Sequence, residues 1–350
     1  MKINHIGIET SDLFGMEIFY RKYFGLKPLY RYSSLNQPGL RTLILTGKGL
    51  ALELLERPEN AANSHSFHIS LQSGDVFKDY MKLKKLGLDI KEPRITGDGF
   101  LEAAAADPEG NIIEISRRKK PAPVYPVKAV IFDLDGTLID SEGNYYEADR
   151  RLMKSYGIAL TPAMKHKYVG TGNLEMLRDL KKKHNIDDPI ESMLTKKNNL
   201  YIEIASAGTK VYPEMIKFIE MLKRSGFPIA IASGSSPGVL EKIVSLTGLG
   251  KYFNIIVSAE SVMRGKPFPD VFLEASRRLG ADPLTCLVVE DAAAGVEAAG
   301  RAFMPCIAIP FQTDLPLPDS FLAADLLFKK GINSFRAGAA YKWVMKRHGV

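Results

Sequence analysis

Six side chains that could carry out phosphoryl transfer stand at or after predicted strand ends: Asp133, Asp135, Ser233, Lys266, Glu290 and Asp291. Asp133 and Asp135 directly follow an apolar strand, where two carboxylates are costly to desolvate unless a cation is near them. Mg²⁺ suits a site whose ligands are mainly oxygen atoms. Because the carboxyl ends of the strands in an open parallel sheet converge on one crevice, we expect all six side chains to meet there.

Such a set supports phosphoryl transfer through an aspartyl phosphate. A carboxylate nucleophile divides the displacement into two easier steps, and a second carboxylate protonates the leaving oxygen and then activates water. A bound metal would screen the phosphate charge from the attacking carboxylate. Lys266 and Ser233 would bind the phosphate oxygens over which charge spreads in the transition state. A single Asp at a strand end is usually a cap residue, so the interpretation depends on the whole set.

Apolar runs that alternate with helical stretches predict a parallel sheet covered on both faces, with strands at 127–132, 228–232, 255–258, 286–289 and 306–309. A helical insertion without a convincing strand occupies about 142–211. Residues 331–350 predict a weakly amphipathic basic helical tail that carries Trp343 and packs on the surface.

Residues 128–330 closely resemble the haloacid dehalogenase (HAD) superfamily, through Asp133-Leu-Asp-Gly-Thr137, Ser233, Gly265-Lys-Pro267 and Glu290-Asp291. The resemblance implies a Rossmann-like core, a small α-helical cap and an Mg²⁺-dependent phosphatase acting on a small phosphorylated metabolite. It makes Asp133 the nucleophile and Asp135 the general acid/base. It implies that Mg²⁺ is held by Asp133, the Asp135 backbone carbonyl, Asp291 and the adjacent Glu290, and phosphate by Thr137, Ser233, Gly234 and Lys266.

The cap sequence bears on a choice between two activities. Asp140-Ser-Glu142 matches the subgroup that contains β-phosphoglucomutases and sugar-phosphate phosphatases. The mutases carry Lys-Gly-x-x-Arg in the cap and a histidine after the first motif, but residues 169–173 read Val-Gly-Thr-Gly-Asn and Tyr145 replaces that histidine. We therefore expect a phosphatase, with a phosphosugar mutase as the alternative. Three cap residues could meet an anionic substrate or form an exposed helix face: Lys165, His166 and Lys167.

A second set of candidate residues lies in two similar halves of residues 1–116. His5 and His68 each begin an alternating strand, and Glu53 and Glu114 are lone carboxylates in the strands that close the halves, at nearly equal spacing. Each half also has a helical stretch, at 13–24 and 76–86. These halves predict a tandem βαβββ duplication. Two imidazoles and two carboxylates in one cup suit Ni²⁺, Co²⁺, Zn²⁺, Mn²⁺ or Fe²⁺, whereas hydrogen-bonded histidines and solvent-facing glutamates are the alternative. His65 competes with His68 but fits a loop better.

This N-terminal segment resembles the vicinal oxygen chelate (VOC) superfamily, which includes glyoxalase I, through Asn4-His-Ile-Gly7, residues 19–26, Leu52-Glu-Leu-Leu55 and residues 107–114. The resemblance implies a His/Glu/His/Glu metal site, a small-molecule ligand and a lyase or isomerase activity, and it is compatible with a homodimer formed through this domain. A non-catalytic ligand-binding module that regulates the phosphatase is the alternative, as are two enzymes acting on successive intermediates. Residues 95–100 form either a loop over the cup or an ordinary hairpin turn.

Composition excludes several classes of protein. Lys and Arg total 47 against 40 Asp and Glu, and the excess of +7 is spread along the chain, which argues against nucleic acid as a partner. No apolar run is long enough to span a bilayer and no signal-peptide pattern begins the chain, so we expect a cytoplasmic protein without a membrane partner. Cys286 and Cys306 are too few for a disulfide framework. The cation- and proline-rich residues 117–127 predict a linker between the two domains.

Overall fold

The computed structural model describes residues 2–34, 37–47, 49–57, 67–106, 111–119, 125–166, 168 and 173–348. The chain divides into two compact units, Met1–Tyr125 and Pro126–Val350. No helix in the described part of the chain combines the length and apolar character needed to cross a membrane. Both cysteines are free and buried.

The described residues of the N-terminal unit form two helices and one eight-stranded sheet. Its elements are β1 (Lys2–Thr10), α1 (Leu13–Phe24), β2 (Lys27–Ser33), β3 (Arg41–Gly47), β4 (Leu50–Glu56), β5 (Phe67–Gln72), α2 (Val76–Lys85), β6 (Arg94–Ile95), β7 (Phe100–Ala106) and β8 (Ile112–Arg118). The side chains of Asp12 and Asp75 accept hydrogen bonds from the first-turn amides of α1 and α2, so each helix begins at an N-cap aspartate.

The order of this sheet shows the duplication directly. The strands run β2-β3-β4-β1-β5-β8-β7-β6, so each half has its own first strand beside its own last strand. β1 pairs in parallel with β4, β5 pairs in parallel with β8, and the halves join through the antiparallel pair β1–β5. The predicted tandem βαβββ fold is confirmed.

The sheet of this unit has two different faces. One face packs against the helices, and the other lines a concave surface, which we call the cup. On the packed face of the second half, Val76 and Tyr80 of α2 contact Leu101 and Ile115. Neighbouring side chains in an extended strand point to opposite faces, so the positions next to those core residues face the cup. Alternation therefore brings the carboxylates of β4, β7 and β8 to one concave surface, with the helices behind the sheet.

The C-terminal unit has an α/β core and a helical insertion. Its elements are β9 (Ala129–Phe132), β10 (Ile139–Asp140), α3 (Glu142–Ser155), α4 (Pro162–His166), α5 (Asn173–His184), α6 (Ile190–Ser206), β11 (Lys210–Val211), α7 (Pro213–Arg224), β12 (Ile229–Ser233), α8 (Pro237–Leu246), β13 (Ile256–Ser258), α9 (Asp270–Leu279), β14 (Cys286–Glu290), α10 (Ala293–Arg301), β15 (Cys306–Ala308), β16 (Leu326–Leu327) and α11 (Ala337–His348).

The core sheet is parallel, in the order β13-β12-β9-β14-β15-β16, which confirms the predicted Rossmann-like class. β9 lies between β12 and β14, so the residues that follow these three strands share one edge. All four residues of β9 are buried, as a strand covered on both faces requires. The short edge strand β16 was not predicted, because two leucines carry too little local signal.

Helices α3–α6 form the predicted cap with a small core of their own, which includes Leu152, Met153, Leu177 and Met193. The region that we predicted to lack strands ends in β11, which pairs with β10 where the cap joins the core. Helix α11 is less peripheral than the surface tail we predicted, because Ala340 and Val344 are fully buried in the main core of the unit.

Candidate functional site

The acidic cluster of the C-terminal unit is assembled by adjacent strands. Asp133 follows β9, and Glu290 and Asp291 end and follow β14. All three are at most 5% exposed, and one oxygen of each lies within 4.8 Å of the others. Lys266 donates to Asp133 Oδ1 at 2.5 Å and to Glu290 Oε2 at 2.9 Å. A single ammonium group thus faces three buried carboxylates.

Mutual repulsion is visible in the pKa values of this cluster. Burial and the charge of Glu290 raise the pKa of Asp133 to about 8, and the same causes raise the pKa of Asp291. Lys266 opposes both shifts but does not offset them. The donor set is made of carboxylate oxygens with excess negative charge, which fits the expected Mg²⁺.

Other contacts hold the acids in place. The backbone amides of Asp291 and Ala292 donate to Glu290 Oε1, and the Thr137 hydroxyl donates to Asp291 Oδ1 at 3.1 Å. Gly136 has φ +80°, and a Cβ there would lie 2.2 Å from Asp291 Oδ2, so this turn requires glycine. Thr137 was predicted to bind phosphate; its hydroxyl lies against the acidic cluster.

The second carboxylate of the first motif lies among hydroxyl groups. Asp135 Oδ2 accepts from Ser235 at 2.8 Å and from Ser233 at 3.3 Å, while Tyr201 donates to Oδ1 at 3.3 Å. Ser233 is among the residues predicted from the sequence, whereas Ser235 and Tyr201 are not. Ser235 could have been found two residues after the end of β12, whereas Tyr201 carries no local signal because it comes from the distant helix α6.

A cleft of about 250 Å³ opens between this edge of the core and the cap. Core residues that line it include Asp133, Asp135, Gly234, Lys266, Glu290 and Asp291, and cap residues include Glu142, Tyr145, Lys165 and Tyr168. Among the predicted cap cations, Lys165 therefore faces the cleft. Lys167, residues 169–172 and the side chain of His166 lie outside the described residues.

A buried ionic cluster stands behind this cap surface. Asp149 receives Lys197 Nζ on one oxygen and Lys165 Nζ on the other, each at 2.6 Å. Lys197 is fully buried, and burial lowers its pKa to about 8 although Asp149 opposes the shift. Lys197 is not among the residues predicted from the sequence, because it is one of many lysines on the cap helices.

The four predicted ligands of the N-terminal cup lie close together, and three of them, His5, His68 and Glu114, each place a donor atom within 4.8 Å of the others. His5 Nε2 and His68 Nε2 are 2.9 Å apart, and Glu53 Oε2 lies 3.2 and 3.0 Å from them. Glu114 Oε2 lies 3.8 and 3.7 Å from the same two nitrogens. Gly7 makes this approach possible, because a Cβ there would lie 1.8 Å from the His68 ring.

The electrostatics of the cup couple these groups. Burial alone would raise the pKa of Glu53, but hydrogen bonds from His5 and His68 hold it at about 2. The pKa of His68 is raised, because its contacts with Glu53 and Glu114 outweigh its burial. Two imidazoles and two carboxylates in one cup fit a divalent transition metal better than they fit Mg²⁺. His65 lies outside the described residues.

Glu102 also lines the cup and is not among the residues predicted from the sequence. Its pKa is raised to about 8, mainly by burial and by the charge of Glu114, although Arg94 pairs with it at 3.0 Å. The alternation of β7 (Phe-Leu-Glu-Ala-Ala-Ala-Ala) could have identified it as a lone acid on the cup face. The residues before β7 form a hairpin turn, in which the Thr96 amide donates to the Phe100 carbonyl at 2.7 Å, and Thr96, Gly97, Asp98 and Phe100 also line the cup, as the alternative prediction had it.

Two family models match the chain. The one for haloacid dehalogenase-like hydrolases matches residues 127–302. The one for the Glyoxalase/Bleomycin resistance protein/Dioxygenase superfamily matches residues 2–115.

Individual proteins similar to this chain include enzymes named for phosphate chemistry. A bifunctional riboflavin kinase/FMN phosphatase of Arabidopsis thaliana is 34% identical over 185 residues, which cover 52% of this chain and 48% of that protein, so the chain spans about half its length. A phosphorylated carbohydrates phosphatase of Thermotoga maritima is 33% identical over 177 residues, 50% of this chain and 82% of that protein. The crystal structure of a putative beta-phosphoglucomutase from Thermotoga maritima has a TM-score of 0.50 and 26% identity, covering 63% of this chain and 99% of that one.

A parallel α/β core with an acidic crevice beneath a helical cap defines a class of hydrolases. The chain belongs to the haloacid dehalogenase-like hydrolase family. Its N-terminal unit is a domain of the glyoxalase and dioxygenase superfamily.

The buried ammonium of Lys197 predicts a pH-dependent stability. Its pKa of about 8 in the folded protein lies below its ordinary 10.5, so between these values the unfolded chain binds more protons. From pH 7 to pH 10.5, the wild type should gain about 3 kcal/mol of unfolding free energy relative to Lys197→Met. Urea unfolding followed by the fluorescence of Trp343, the single tryptophan, measures this difference.

The matched control is Lys196→Met, which removes the neighbouring exposed lysine of the same helix. This control should show no comparable gain in that pH range. Parallel pH profiles for the wild type and Lys197→Met would contradict the account.

Proposed function

We propose that the C-terminal domain is an Mg²⁺-dependent phosphatase that hydrolyses a small phosphorylated metabolite of the sugar-phosphate class through an aspartyl phosphate. One observation carries the proposal: Asp133, Lys266, Glu290 and Asp291 meet at one sheet edge, with Asp135 beside them under the cap. The similarity to a phosphatase named for phosphorylated carbohydrates supports the substrate class.

Each residue has a defined task in this reaction. The Asp133 carboxylate attacks phosphorus while the bond from phosphorus to the ester oxygen breaks, and Asp135 gives that oxygen a proton. Asp135 then takes a proton from the water that hydrolyses the aspartyl phosphate. Lys266 and the backbone of Gly234 bind phosphate oxygens beside Asp133. Mg²⁺, held by Asp133, Glu290, Asp291 and the Asp135 carbonyl, would neutralise phosphate charge and favour the ionised form of Asp133.

The cleft supports a small substrate and a phosphatase instead of a mutase. Its volume of about 250 Å³ falls below the range of ~300–1,000 Å³ found for drug-sized ligands. Tyr145, which occupies the position of the mutase histidine, places a neutral hydroxyl 2.7 Å from Ser235 Oγ. Interconversion of β-glucose 1-phosphate and glucose 6-phosphate by the pure protein would overturn the phosphatase assignment.

Asp133→Asn should lower the rate of hydrolysis of p-nitrophenyl phosphate at least ~1,000-fold, because an amide cannot act as the nucleophile. Removal of Mg²⁺ with a chelator should abolish the wild-type activity, and added Mg²⁺ should restore it. Asp314→Asn, which changes an exposed carboxylate, is the control and should keep full activity. Activity that survives Asp133→Asn rules out the assigned nucleophile.

We further propose that the N-terminal cup binds one divalent transition metal through His5, Glu53, His68 and Glu114. The proximity of the four side chains supports this proposal, since the two imidazole Nε2 atoms are 2.9 Å apart and Glu53 Oε2 lies within 3.2 Å of both. When bound, the metal would polarise two neighbouring oxygen atoms of a small ligand. The complete ligand set favours a lyase or isomerase activity over ligand capture alone.

Wild-type protein loaded with Ni²⁺, Co²⁺ or Zn²⁺ and dialysed against excess Mg²⁺ should retain one transition metal ion per chain. His5→Ala and Glu114→Ala should lose that ion, because each removes a ligand atom. Metal analysis of the dialysed proteins, together with Co²⁺ absorption, measures the loss. Glu102→Gln is the matched control: it changes a cup carboxylate that is not among the ligands and should keep the metal. Failure to retain metal under every loading condition would favour the ligand-binding module.

A further inference from the structure

The Asp135 carboxyl group is surrounded by hydroxyl groups from two parts of the domain. Ser233 is the last residue of β12 in the core, and Ser235 lies in the loop that follows it. Tyr201 comes from the cap and donates to Oδ1 at 3.3 Å. The hydroxyl of Tyr145, also from the cap, lies 3.5 Å from Oδ2 and contacts Ser235 Oγ at 2.7 Å, so it reaches the same oxygen both directly and through the serine.

The two tyrosines form one unit within the cap. Tyr145 lies on α3 and Tyr201 on α6, and their rings stack with centroids 4.0 Å apart and an interplanar angle of 15°. The ammonium of Lys197 lies 5.6 Å from the centre of the Tyr145 ring, on the buried side of the cap. Stacking and this cation–π contact fix the two hydroxyls relative to the cap helices.

Hydroxyl groups suit a carboxyl that must change its protonation state. A hydroxyl donates to a carboxylate and accepts from a carboxylic acid, whereas a neighbouring cation favours the ionised form alone. In the proposed reaction Asp135 must first carry a proton and later accept one. The hydroxyls can therefore hold Asp135 in one orientation through both steps.

We propose that Tyr145 and Tyr201 are positioning residues, which orient Asp135 for proton transfer to the leaving oxygen when the cap lies over the core. This inference rests on the proposed phosphatase function. The contacts join cap to core, so displacement of the cap removes two of the four hydroxyls from Asp135. Acid catalysis is thereby linked to closure of the cleft.

Two substrates separate this role from a structural one. An alkyl phosphate such as glycerol phosphate needs a proton on its leaving oxygen, but nitrophenolate leaves p-nitrophenyl phosphate without one. The measurement is single-turnover release of the alcohol or phenol, which isolates the first step. Tyr145→Phe combined with Tyr201→Phe should slow this step at least ~10-fold for the alkyl ester, with KM changed less than ~2-fold. For the aryl ester, the fold-reduction in the same rate should be at least ~5 times smaller than for the alkyl ester.

The matched control is Tyr156→Phe, which removes another cap hydroxyl that donates to an aspartate, Asp188, away from the cleft. It should leave both esters unaffected. Each single Tyr→Phe variant keeps the aromatic ring and loses one hydroxyl. Its single-turnover rate should fall less than that of the double variant, and it should still fall more for the alkyl ester than for the aryl ester.

Equal losses on both esters, a change confined to KM, or wild-type rates in the double variant would overturn the positioning role. Asp135→Asn distinguishes the two proposals. If Asp135→Asn is slow on the alkyl ester while the tyrosine variants match wild type, only the positioning role fails. If wild-type protein hydrolyses neither ester, the phosphatase proposal fails and the positioning role fails with it.

Discussion

The catalytic edge depends on the repulsion among three carboxylates that the fold forces together. Like charges about 4 Å apart at an effective dielectric constant of 20 repel by about 4 kcal/mol per pair. Asp133, Glu290 and Asp291 are all nearly excluded from water, and Lys266 supplies one positive charge among them. The adjacency of β9 and β14 leaves these acids no room to separate. In the proposed function, a bound dication would relieve this repulsion, and its charge would favour the approach of a phosphate dianion.

The N-terminal cup also holds buried carboxylates close together, but different groups balance their charge. There, the charge of Glu53 is matched by imidazoles instead of an ammonium group, and the pKa of His68 is raised while that of Glu53 is lowered. Nitrogen and oxygen donors suit transition metals, whereas sites made of oxygen donors suit Mg²⁺. Under the functions proposed above, the two sites would therefore prefer different metals.

The local sequence pattern was sufficient to place two kinds of site residue. These are the residues at strand ends in the C-terminal domain and the residues that are repeated in the two halves of the N-terminal domain. Asp133 and Glu290 could be placed because continuous apolar runs mark buried parallel strands, and His5 and His68 because the halves repeat. Residues that reach a site through tertiary packing could not be placed in this way. Tyr201 arrives from a cap helix, and the buried face of α11 depends on a core that the tail sequence does not specify. Glu102 lies between these two cases. The alternation of β7 would have indicated that its side chain is on the cup face, but not which residues surround it there.

Mg²⁺-dependent stability tests the central electrostatic claim most directly. Trp343 belongs to the C-terminal domain and reports its unfolding in urea. At about 100 times its dissociation constant, Mg²⁺ should stabilise the wild type by about 2.7 kcal/mol. Asp291→Asn should be more stable than the wild type without metal, because one repelling charge is gone, and should gain little from Mg²⁺. Two results together would contradict the account. Mg²⁺ would leave the urea unfolding curve of the wild type unchanged, and Asp291→Asn would lower the free energy of unfolding in the absence of metal.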